Sequence, residues 1–126
     1  MQDEIISIYE KEEEIQKIIQ PLTNITLDDL IKTPHFEYSQ AEKSTDVNLL
    51  KQTFQEFNRI KLINKRKHKN DKTSYDIYYE LDDKTYVLYA IAFNESKPKL
   101  LNAYHVQRNF RKFKQKLINA YKDKLT

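Results

Sequence analysis

Apolar residues fall at two different spacings along this chain, and the change between them divides it. Ile5, Ile8, Tyr9, Ile15, Ile18 and Ile19 lie near a helical period, which predicts a helix over 2–20. Pro21 stops it, because proline cannot continue the hydrogen-bond ladder. The stretch LTNITLDDLIKTP predicts a short helix, with Thr26 as its cap and Pro34 beyond its end. HFEYSQAEKSTD follows no period and is expected as a loop. A second amphipathic stretch, about Asp46 to Leu62, carries Val47, Leu50, Phe54, Phe57 and Ile60 as its apolar stripe, with Ser44 or Thr45 as cap.

The segment NKRKHKNDK has no apolar residue and is expected as an exposed basic loop. The period then falls to two. In SYDIYYEL, Tyr75, Ile77, Tyr79 and Leu81 alternate with Asp76, Tyr78 and Glu80, as in a half-buried strand. DDK makes a turn. TYVLYAIAF is apolar on both sides, as in a central strand covered on both faces. NESKP makes a second turn and KLLNAYHV a third strand, so the neighbours are antiparallel. A last helix is expected over about Gln107 to Lys124, with Phe110, Phe113, Leu117, Ala120 and Tyr121 on its core face.

This order predicts an α+β fold: N-terminal helices followed by a small antiparallel β-sheet and a C-terminal helix. One domain over 1–126 is expected, divided into an acidic helical arm (1–34) and a basic α+β core (35–126). The arm either packs on the core or links it to a partner.

Composition narrows the chemistry. The 126 residues contain no glycine, so no glycine-rich loop can cradle a nucleotide, and P-loop and dinucleotide-binding readings fall away. Turns must use Asn and Asp, which tolerate the left-handed conformation. There is no cysteine, which removes disulfides, thiolate zinc sites and thiol nucleophiles. No apolar run reaches membrane-spanning length, and the acidic start is unlike a signal peptide, so a cytoplasmic protein with no membrane partner is expected. The net charge of +3 conceals a split. Residues 1–30 hold eight acidic and two basic side chains; residues 31–126 hold eleven and twenty. The basic part suggests an anionic partner, and the acidic part can lie over it and hold activity down.

Candidate chemistry gathers near the last strand and helix. His105 can give or take a proton, and its neighbour Tyr104 points to the opposite face of the strand. Arg108, Arg111 and Lys112 lie within helical reach of one another, suited to phosphate. Cations in a first helical turn oppose the helix dipole, which suggests that they meet a partner. Lys65, Arg66, Lys67 and Lys69, with His68 among them, form a second electrostatic footprint for RNA. A flexible, solubilising loop accounts for them as well, and His68 reads as a bystander. Tyr78, Tyr89 and Tyr104 can stack unpaired bases or can be half-core residues. Asp76, Glu80, Asp82 and Asp83 do not make a two-carboxylate metal pattern, so neither metal nor cofactor is expected.

VNLLKQTFQEFNRI, YDIYYELDDKTYVLYAIAF and KLLNAYHV, in this order, resemble the barnase–EndoU–colicin–RelE superfamily of metal-independent ribonucleases, above all its phage and polymorphic-toxin branches. The similar region is about residues 36–121. The resemblance implies RNA cleavage, with attack of the 2′-OH on the adjacent phosphate. His105 would be acid or base, Arg108 and Arg111 would hold the phosphate, and Tyr104 or Asn102 would orient it. Lys43 and Lys51 would be secondary cations. RNA, including tRNA, and a protein inhibitor or host factor would be the partners. The set of catalytic types usual in that superfamily is incomplete here. Two alternatives therefore stay open: a non-catalytic phage or mobile-element module that grips protein or nucleic acid, and an antitoxin- or immunity-type inhibitor.

Overall fold

The computed structural model describes residues 3–33, 46–93 and 97–126. The chain runs through β1 (Glu4–Tyr9), α1 (Glu12–Ile19), short 3-10 turns at Gln20–Leu22 and Leu27–Asp29, and β2 (Ile31–Lys32). After α2 (Val47–Phe54) and a 3-10 turn at Phe57–Arg59 come β3 (Ile60–Lys67), β4 (Thr73–Glu80), β5 (Tyr86–Ala92) and β6 (Lys99–Val106). It closes with α3 (Phe110–Ala120) and a 3-10 turn at Lys122–Lys124. The strands form one six-stranded sheet in the order β1-β3-β4-β5-β6-β2. Every pairing is antiparallel except β2 beside β6. The fold is thus α+β, with a larger sheet than the sequence suggested and a strand in first place.

The expected helix over 2–20 is corrected at its start. The three-residue spacing of Ile5 and Ile8 is produced by a β-bulge, since the β1–β3 register shifts between Ile5 and Ser7. An extra residue in a strand lets two side chains three apart reach the same face, and both isoleucines are buried in one cluster. Only Glu12–Ile19 is helical. The expected basic loop is corrected too. Ile60–Lys67 is a strand paired on both sides, and the turn to β4 is short. Its amides follow that turn closely: His68 N–H donates to Lys72 O at 2.8 Å and Asp71 N–H to His68 O at 3.0 Å. Asp71 sits at φ 65°, the left-handed position that a glycine-free chain must fill with Asp or Asn. The caps Ser44 and Thr45, the loop around them, Lys43, and most of the NESKP turn lie outside the described residues.

Helices cover both sheet faces. On the first, Ile15, Ile19 and Leu22 join Leu50 and Phe54 of α2 over Ile63, Ile77, Tyr79, Tyr89 and Ile91. Tyr79 donates its hydroxyl to Phe54 O at 2.7 Å, and Tyr89 donates to Leu50 O at 2.6 Å. The first of these bonds meets one of the carbonyls that a helix end leaves without an intrahelical donor. On the second face, Phe110 packs with Ile5, Ile8, Leu62, Tyr78 and Tyr86, and Phe113, Leu117 and Tyr121 of the same stretch close over them. Residues 4–32 of the expected acidic arm are built into the sheet and its core. They supply both edge strands, and Thr126 N–H closes back on Ile8 O at 2.9 Å. No helix among the described residues is long and apolar enough to cross a membrane.

Candidate nucleic-acid interface

Helix α3 begins where Asn109 accepts a hydrogen bond from Lys112 N–H at 2.9 Å through its side-chain oxygen. The amide nitrogen of the same side chain donates to Asp83 O at 2.6 Å, which ties the cap to the β4–β5 turn. That turn is itself held by Asp82, whose carboxylate accepts from Lys84 and Thr85 N–H, both at 2.8 Å. These bonds, first of all the one from Lys84, keep the Asp82 carboxyl below its ordinary value. Phe110, Phe113, Leu117 and Tyr121 then face the sheet at helical spacing.

The flanks and outer face of α3 are cationic. Arg111 pairs with Glu80 at 3.4 Å and Lys114 with Glu10 at 3.4 Å. These four side chains, with Lys61 and Gln115, line a groove of about 550 Å³. Arg108, Lys112 and Lys116 are exposed and make no ion pair with any described residue. They recur every four residues, so the two on the helix fall on one stripe. Arg108 lies close enough to Tyr86 to oppose the rise that burial imposes on its phenol.

The proposed acid–base set is spread out. His105 pairs with Val87, whose side chain belongs to the first-face core, whereas α3 packs on the second. The sheet thus stands between His105 and Arg111. The His105 ring is half-buried and hydrogen-bonds to no described residue. Tyr104 points to the opposite face, as the sequence implied; its hydroxyl accepts from Asn102 Nδ2 at 2.5 Å. Tyr78 and Tyr89, considered as stacking residues, are buried beneath helices, and burial raises both phenols.

The second basic group lies on β3 and its turn. Arg66 reaches Asp76 Oδ2 through Nε at 3.1 Å and Nη2 at 2.9 Å. Asn64 Nδ2 donates to the same oxygen at 2.9 Å, and Tyr78 donates to Asn64 Oδ1 at 2.7 Å. Burial is the largest single influence and works against the Arg66 cation, but the charge and hydrogen bond of Asp76, joined by Tyr78 and Asp3, together outweigh it and raise its pKa. Arg66 is therefore a structural cation in a strand, in place of the exposed loop cation expected from sequence. Lys65 lies over the Tyr75 ring, 5.7 Å from its centroid, and Lys67 pairs with Asp71 at 3.4 Å. Lys69 is exposed at the turn.

Sequence reasoning missed His68, which joins Asp3 Oδ2 (Nδ1, 3.0 Å) to Ser74 Oγ (Nε2, 2.7 Å). Asp3 and Ser74 are 71 positions apart in sequence, and no periodicity signals their meeting. Among the described residues no three metal-ligating side chains gather in one place. Comparison with known proteins finds no family model, no curated protein and no solved structure that matches the chain.

Proposed function

We propose that the chain binds RNA along the outer face of α3, through Arg108, Lys112 and Lys116. The observation that carries this reading is the charge at the start of the helix. The first turn has no acidic residue, and Lys112 and Arg108 stand at the positive end of the dipole without an acidic partner among the described residues. Such placement costs about 0.3–1 kcal/mol. Successive positions on the stripe are ~6 Å apart along the axis, which lets the cations address successive phosphates of one strand.

The test is fluorescence anisotropy with tRNA and with single-stranded RNA across a salt series. Binding weakens with salt, and the combined Lys112→Glu, Lys116→Glu change lowers affinity about tenfold or more. Lys112→Glu alone raises helix stability by about 0.3–1 kcal/mol while lowering affinity, because its carboxylate now favours the helix N-terminus. Parental affinity in the double variant would overturn the reading.

One observation favours a second reading, metal-independent ribonuclease activity. The His105 ring is half-buried and hydrogen-bonds to no described residue. There the imidazole acts as acid or base on a phosphate bound at the first sheet face, apart from the α3 cations. Incubating RNA with the protein in EDTA checks it. Fragments ending in 2′,3′-cyclic phosphate, absent with His105→Ala, support cleavage; intact RNA leaves binding alone.

A further inference from the structure

A separate cleft of about 340 Å³ opens where β3 turns into β4, beside β6. Lys72, Lys99, Asn70 and His68 line it together with Ala92 and Leu101, and none of its described lining residues is a carboxylate. Its volume sits at the small end of the ~300–1,000 Å³ usual for ligand sites. Lys72 makes no ion pair with any described residue.

His68 sets the character of this cleft. Both ring nitrogens are bonded within the protein, to Asp3 and to Ser74. The order Asp–His–Ser invites comparison with a nucleophile activated by a base. Ser74, however, is 1% exposed in the middle of the sheet, so no substrate reaches its hydroxyl. What remains for a ligand is the flat ring, held in place by its two partners. A fixed imidazole ring beside a short apolar floor suits a nucleobase, and Lys72 and the Asn70 amide suit a phosphate.

We propose that this cleft is a mononucleotide site, taking one base with its phosphate, either as a free ribonucleoside monophosphate or as the terminal nucleotide of an RNA strand. It uses none of the α3 cations and stands or falls separately from RNA binding there.

The experiment is amide NMR of the full chain titrated with AMP and, separately, with inorganic phosphate, adenosine and a short RNA carrying a 3′-phosphate. AMP is expected to shift the amides of Asn70, Lys72, Ala92 and Leu101 while leaving those of Lys112 and Lys116 in place. Lys72→Glu, on an exposed turn, should weaken AMP about tenfold. His68→Gln, which retains polar groups but removes the ring, should weaken AMP and leave any inorganic phosphate response unchanged. If the RNA shifts the cleft amides at lower concentration than AMP, the ligand is a strand terminus; if only AMP enters, it is the free nucleotide. Three results would overturn the site: shifts scattered over the surface, phosphate alone reproducing the AMP pattern, or parental AMP affinity in Lys72→Glu.

Discussion

Tyrosine hydroxyls bind the helical layer to the sheet. Tyr79 and Tyr89 each reach a backbone carbonyl of α2. Replacing Tyr79 with Phe removes the hydroxyl and strands Phe54 O in the core, which should cost about 1 kcal/mol, measurable as a lower urea midpoint. The same residues determine the alkaline limit. Burial holds the phenols of Tyr78, Tyr79 and Tyr89 above their ordinary value of 10.0; at Tyr78 Asp76 adds to the rise and Arg66 opposes it. Below that pH both folded and unfolded chains keep these protons, and stability is intact. Above it only the unfolded chain ionises, so each group withdraws ~1.4 kcal/mol per pH unit, and three together ~4. Part of the phenolate absorbance should therefore appear in step with loss of circular dichroism. Smooth titration of all nine tyrosines near pH 10.0 with the fold intact would contradict this. The sequence marked these tyrosines as strand residues, but their hydroxyl partners lie 25 and 39 positions away and could not be read from local pattern.

At the scale of elements, β4, β5, β6 and α3 were legible because one face of each is apolar at a clean period. Three strands were not, and one of them, β2, is two residues long inside the stretch expected as a short helix. β1 hides behind its bulge, and β3 hides because the side chains it turns inward past Ile63 are Asn64 and Arg66, satisfied by Asp76 in place of an apolar core. A hydrophobic pattern cannot register a buried polar network. The cationic face of α3 was legible as charge, but its separation from His105 depends on which face each element takes in the sheet. Asn109 is where α3 is most exposed to a single change. Asn109→Ala loses the cap of the Lys112 amide and the bond to Asp83 O, and should lower stability by about 1 kcal/mol. Chemical denaturation of the variant beside the parent measures it.

For the whole molecule, the acidic N-terminal thirty residues are part of the core as well as neighbours of basic side chains. Asp3, Glu10 and Asp28 meet His68, Lys114 and Lys51. Ile5, Ile8, Ile15, Ile19, Leu22, Leu27 and Leu30 are buried. At ~1.5–3 kcal/mol for each side chain, their loss comes to about 10–20 kcal/mol, as large as the ~5–15 kcal/mol that holds a domain together. A chain lacking residues 2–30 should be unfolded by circular dichroism, so releasing RNA binding by that deletion is not open to this protein; a folded truncation would reverse the conclusion. The placement of β1 and β2 at opposite edges has a kinetic consequence as well. The segment joining them crosses a sheet of five inter-strand gaps, ~24 Å wide. Its strands pair with partners some sixty residues distant, whereas β3 to β6 pair with their immediate successors. Short loops close before long ones. The meander is then the folding nucleus and the N-terminal strap its last-fastened part, so amide protons of β4 and β5 outlast those of β1 and β2 in deuterium exchange.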